Sequence, residues 1–147
     1  ILKHVVATKK SQVASADKVG ENFYNRGVLN SVYIAEAIRN AQRLSGKKVI
    51  SGEDMRRGLE SLNITQARLK ELGMDGFAAP VSVTCADHNG HHSVYVAEWD
   101  GTKWTKKGDW VEPLKDEVRP LIESNAKDYI EKAGNWPKRT ESCEKSS

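Results

Sequence analysis

The sequence predicts a mixed α/β fold, and three observations carry that reading. Apolar residues recur at the 3.6-residue period of a helix from Val28 to Leu44, the pattern changes to alternation between Val81 and Val96, and a helical pattern returns from Arg119 to Gly134. With 147 residues, 38% of them hydrophobic and 29% charged, the chain has enough apolar material for a modest core and too much for a disordered tail.

At the start of the chain, Ile1, Leu2, Val5 and Val6 are spaced for a short helix over Ile1 to Lys10. Ser11 to Gly20 is polar and reads as a loop with a short extended lead-in. Phe23 to Gly27 then forms an aromatic, polar and basic cluster just ahead of the strongest helical pattern. In that helix Val28, Val32, Ala35, Ile38 and Ala41 form the inner face, and Ser45-Gly46 ends it. Ser51 is suited to cap a second helix, with Glu53 and Asp54 in the first turn, where the helix dipole favours acids, and Met55, Leu59 and Leu62 facing inward. A third short helix is expected from about Thr65 to Leu72, closed by Gly73 in the left-handed conformation.

Beyond this point the period is two. Val81, Val83 and Cys85 alternate with Ser82, Thr84 and Ala86, and after Asn89-Gly90 the residues Val94 and Val96 alternate with Ser93 and Tyr95, which predicts a β-hairpin. Asp100-Gly101, between Trp99 and Trp104, signals a second turn and a further strand. The last helix is expected to begin near Arg119-Pro120, with Pro at its first position, and to run through Leu121, Ile122, Ala126, Tyr129 and Ile130 to Gly134. A polar tail follows.

Composition narrows the function. No stretch approaches the ~20 consecutive apolar residues that a spanning helix needs. The 23 basic and 20 acidic residues leave a net charge of +3, spread in pairs such as Lys9-Lys10, Lys47-Lys48 and Lys106-Lys107. A nucleic-acid surface would gather such charge on one face with aromatics between, so no nucleic-acid partner is expected. The sequence opens at Ile1 without an initiator Met or a secretory signal, so it starts after processing or is a fragment, and helical text with no strand before it favours the fragment of a larger protein.

Two constellations could carry chemistry. Cys85, Asp87, His88, His91 and His92 are zinc-ligand types. On a hairpin turning at Asn89-Gly90, however, alternation puts Cys85, Asp87 and His92 on one face and His88 and His91 on the other, so no metal site is expected. Nor does the chain offer a Gly-x-Ser-x-Gly elbow or a phosphate-cradling glycine loop, and no enzymatic activity or cofactor is expected. Phe23, Tyr24, Asn25 and Arg26 suit binding better: the aromatic pair can stack on an apolar ligand, while Asn25, Arg26 and the amides at the start of the Val28 helix can donate to a carboxylate. The plainer alternative makes Phe23 core and Arg26 a surface charge. Cys85 and Cys143 are either two buried thiols or one bridge. The bridge is favoured because nothing else holds the tail at Cys143; it implies an oxidising compartment.

These residues together resemble a known family. VGENFYNRGVLNSVYIAEAIRNAQ (Val19 to Gln42), SGEDMRRGLESLNITQARLKELGMDGFAAPVSVTCADHNG (Ser51 to Gly90), VAEWDGTKW (Val96 to Trp104) and RPLIESNAKDYIEKAG (Arg119 to Gly134) resemble, in order and spacing, the type I periplasmic solute-binding proteins of ABC transporters, in the branched-chain amino acid receptor branch. The resemblance implies the C-terminal portion of a type I periplasmic-binding-protein fold. Residues 1–79 would be the helical part of the second lobe, 80–112 hinge-proximal hairpin strands, and 113–147 a terminal helix and tail. It also implies that Phe23 and Tyr24, with Asn25 and Arg26 beside them, contact a ligand, and that Cys85 and Cys143 form a tail-anchoring disulfide. Tyr-Asn-Arg-Gly stands where the amino-acid receptors have apolar and hydroxyl residues.

The expected function is therefore a periplasmic receptor of an ABC importer. It would bind a small amino acid or an organic carboxylate, aromatic ones included, in an interlobe cleft, with the missing N-terminal lobe and a membrane permease as partners. The alternatives are a cytoplasmic ligand-sensing regulator of the same fold and a small metal-binding protein using the Cys/Asp/His hairpin.

Overall fold

A computed structural model describes residues 5–10, 16–90, 93–137 and 143. The chain divides into two compact units, Ile1–Leu62 and Asn63–Ser147.

In the first unit, residues 5–10 form a tight turn, the Lys10 amide donating to the Val5 carbonyl at 2.9 Å. Ile1 to His4, the first four residues of the expected helix, lie outside the described residues. A single 3₁₀ turn at Ala16–Lys18 leads into α1, Asn22–Ser45. This helix begins ahead of Val28 because the chain turns at Val19-Gly20 and the Asn25 side-chain Nδ2 donates back to the Gly20 carbonyl at 2.9 Å, closing the first turn locally. Gly46 ends it in the left-handed region at φ 70°, with its amide donating to the Gln42 carbonyl.

Helix α2, Gly52–Glu60, starts where the sequence predicts. Ser51 accepts from the Asp54 amide, and the Asp54 carboxylate accepts from the Ser51 amide and hydroxyl, a reciprocal capping box. Of the expected inner face, Leu62 is buried just past the helix end and Met55 is half-buried. Leu59 is exposed, and Asp54, Gly58 and Glu60 are buried. The reason is the crossing of α1 and α2. A Cβ on Gly58 would lie 2.8 Å from the Ala41 Cβ and closer still to the Ala37 carbonyl. The two backbones meet at small residues, which turns Leu59 away. Asn40 ties the same crossing by donating to the Ser61 carbonyl at 3.1 Å.

In the second unit, β1 (Asn63–Ile64) pairs antiparallel with β2 (Val81–Ser82), with Ile64 opposite Val81. Helix α3, Gln66–Glu71, lies between them in sequence, capped by the Thr65 hydroxyl and followed by Gly73 at φ 70°. Ile64, Leu69, Met74, Ala78 and Val81 make this unit's core. The predicted hairpin between Val81–Cys85 and Val94–Val96 is therefore corrected: β2 takes Asn63–Ile64 as its partner. Thr84 and Asp87 exchange backbone hydrogen bonds at 3.1 and 3.2 Å across Cys85-Ala86, which turns the chain early. Gly90 then packs against the Ser82 carbonyl, 2.8 Å from where a Cβ would sit.

The second turn signal forms the hairpin. β3 (Val94–Trp99) pairs with β4 (Trp104–Val111), Trp99 opposite Trp104, and the Asp100 carboxylate accepts from the Thr102 and Lys103 amides at 2.9 Å. Helix α4, Lys115–Ala133, begins before the predicted Arg119-Pro120 start. Pro120 thus sits inside the helix, where it cannot donate to the Asp116 carbonyl. No described helix is long and apolar enough to cross a membrane.

Candidate functional site

The sequence-predicted binding residues occupy the first two turns of α1, and not a loop ahead of it. Phe23 is 82% exposed, with the Arg26 guanidinium over its ring at 5.9 Å. Tyr24 and Asn25 are half-buried. Because the helix starts at Asn22, the amides at Val28 lie within it, and the donors expected there belong to earlier residues.

The zinc-type cluster is dispersed in another way. Cys85 is joined to Cys143, their Cα atoms 5.4 Å apart, so its sulfur is a disulfide and not a thiolate ligand. His91 and His92 lie outside the described residues. Among the described residues no three His, Cys, Asp or Glu side chains gather closely enough to hold a metal.

What the second unit does assemble is a cleft of about 200 Å³. One wall is α4 and its approach, with Pro113, Leu114, Val118 and Ile122; the other is the loop carrying Asp87, Asn89 and Gly90. Asp87 anchors that loop to the helix. Its carboxylate is paired with the Lys115 ammonium and lies 3.3 Å from an Arg119 Nη, while the other Arg119 Nη donates to the Ala86 carbonyl at 3.0 Å. The hydrogen bond from Lys115, helped by the charge of Arg119, holds the Asp87 carboxyl below the usual carboxylate range. Arg119 also donates through Nε to Glu123 at 2.6 Å, which raises its own pKa further.

The charges at the rim are thus matched to one another, and the wall on α4 is aliphatic. Such a cleft can take an apolar group more readily than an ion. Sequence reasoning missed Lys115 and Arg119. They lie one helical turn apart, the spacing at which two cations on one helix face can share a carboxylate, but the signal was hidden by placing the helix start at Pro120.

The β3–β4 hairpin carries a separate aromatic face. Tyr95 and Trp110 meet edge to face at 4.9 Å, Trp99 and Trp104 lie 5.5 Å apart, and the Lys106 ammonium sits 5.0 Å from the Trp110 ring centre.

No family model matches the chain, and no curated protein matches it. A solved structure does: the ABC transporter permease from Pseudomonas fluorescens group, 34% identical, with a TM-score of 0.84 over 95% of this chain. The chain spans 34% of that protein's length.

This match corrects the expected identity and function. The matching protein is named as a permease, a component of the transporter itself, and not as a periplasmic solute-binding protein of the branched-chain amino acid receptor branch. Neither alternative, the cytoplasmic regulator or the small metal-binding protein, gains support from it. What carries over from the sequence expectation is coarser: the similarity is to a transport protein, consistent with a transporter-related partner.

Proposed function

We propose that this chain is a portion of an ABC-type transport assembly that works on the periplasmic side of the membrane. The observation that supports it most is the 34% identity over 95% of the chain to a protein named as an ABC transporter permease. Its partners in this reading are the membrane and ATP-hydrolysing subunits of the transporter and the kind of polypeptide that makes up the rest of the matched protein. Its contribution is to bind and position those partners, with no covalent step. The compartment is supported by the Cys85–Cys143 disulfide, since such bonds persist outside the reducing cytosol.

The test is made in the native host. The tagged natural gene product, cross-linked in membranes and purified, should bring an ATP-binding-cassette subunit with it, and deletion of the gene should lower uptake of at least one member of a labelled panel of small solutes. Unchanged uptake across the panel together with no such subunit in the cross-linked product overturns the proposal. Alkylation of unreduced lysate should leave Cys85 and Cys143 unmodified; labelled thiols would remove the periplasmic placement.

A further inference from the structure

We propose that the apolar stripe of α4 is a docking face for another polypeptide segment, of the kind that makes up the part of the matched Pseudomonas protein outside this region. Leu114, Val118, Leu121, Ile122 and Tyr129 fall within a stripe about 100° wide, the width of a core-facing helix surface. Each is between 44% and 69% exposed, and no residue of the 19-residue helix is buried. A helix of this length draws most of its stability from packing its apolar face, and Pro120 has already removed one of its hydrogen bonds. The stripe runs for roughly 22 Å along the axis at 1.5 Å per residue and opens at its N-terminal end into the cleft beside Asp87.

Two observations identify the occupant. The rim charges Asp87, Lys115, Arg119 and Glu123 are paired among themselves, so the face asks for apolar side chains and not for a counter-ion. The match keeps this region's fold at a TM-score of 0.84 inside a chain of which it is 34%, so that protein carries about two thirds of its length as further polypeptide. The inference rests on this structural match and not on the transport role.

The experiment is co-expression of the 147-residue chain, tagged, with the remainder of the Pseudomonas chain as a separate polypeptide. A one-to-one complex is expected, and Val118→Glu with Ile122→Glu should abolish it while leaving the chain's far-UV circular dichroism unchanged. Retention of the complex by that double variant, or no complex with a soluble remainder, overturns the proposal. So does a concentration-dependent dimer of the chain alone that the double variant dissolves, since the occupant is then a second copy. If the remainder is insoluble by itself, fusing the two in one chain decides: amide exchange across 115–133 should slow at least tenfold relative to the chain alone, and an unchanged rate overturns the assignment. None of these readouts depends on uptake or on an ATPase subunit, so the two proposals fail separately.

Discussion

In the first unit, Gly58 lets α2 lie directly on Ala37 and Ala41 of α1, and buried Asp54 and Glu60 are each held by a neighbouring cation, Lys47 at 3.0 Å and Arg56 at 2.7 Å. In the second, the core is a handful of residues around Ile64 and Leu69, no residue of α4 is fully buried, and Cys85 is bonded to Cys143 across 58 residues of sequence. Close backbone approach stabilises one unit, whereas a covalent tie and rim charges stabilise the other. A unit that leaves a helix face in water needs some other constraint on its unfolded chain, and the disulfide supplies it.

The largest effect expected from this contrast is at the bridge. Replacing both Cys85 and Cys143 with Ser should destabilise the second unit by roughly 4 kcal/mol, the entropy of closing a loop of this length. All four tryptophans, Trp99, Trp104, Trp110 and Trp136, lie in that unit, so the loss should appear as a shift of the fluorescence-detected urea transition. An unshifted transition breaks the contrast, because the tie would then be dispensable.

Next in size is Gly58→Ala. The added methyl meets the Ala37 carbonyl and Ala41, and overpacking of this kind costs about 1–3 kcal/mol. The helical signal at 222 nm should melt earlier while the tryptophan transition stays in place. If both move together, the two units do not unfold independently.

A smaller change is expected at the α2 cap. Ser51→Ala should cost about 1 kcal/mol, again visible only in the helical signal. The same cap predicts a pH dependence. Hydrogen bonds from the Ser51 amide, then from Lys47 and the Ser51 hydroxyl, lower the Asp54 pKa to about 2. The folded-state value lies below the unfolded one, so this contribution is fully present above the ordinary carboxylate pKa of about 3.9 and is lost as the pH falls toward 2. Urea midpoints of the helical signal measured down to pH 2 should show that loss, and Asp54→Asn should flatten it.

The smallest effect is expected from Arg119→Ala. Asp87 keeps Lys115, and a part-exposed ion pair contributes about 0.2–1 kcal/mol, falling as salt is added. A loss well above that range in the tryptophan transition would mean that Arg119, through the Ala86 carbonyl, holds the Cys85–Asp87 turn as firmly as the bridge does.

How legible each part was follows from the distance over which its cause acts. Ser51 and Asp54, Gly46, Gly73 and Asp100-Gly101 were readable because the cap or turn is formed by residues within four positions of one another. Phe23 to Arg26 stand ahead of the periodic pattern, yet they belong to α1, because periodicity marks where burial begins and not where hydrogen bonding begins. The candidate cleft is hardly legible: Asp87 is a zinc-type ligand by residue type, yet its partners, Lys115 and Arg119, are 28 and 32 residues away along the chain.

The sequence by itself determined the helical character of α1 to α4, the Ser51 cap, the helix ends at Gly46 and Gly73 and the turn between Trp99 and Trp104, since these follow from dihedral preferences and local hydrogen bonds. Only the tertiary structure decided that Val81 pairs with Ile64 and not with the Val94 strand, that α2 presents Gly58 and not Leu59 to α1, and that the loop carrying Asp87 is tied to α4 by Lys115 and Arg119. Alternation and periodicity specify which side of an element is apolar, but many apolar partners satisfy them equally. The choice among those partners is made by packing volume and charge across the fold, which no local pattern contains.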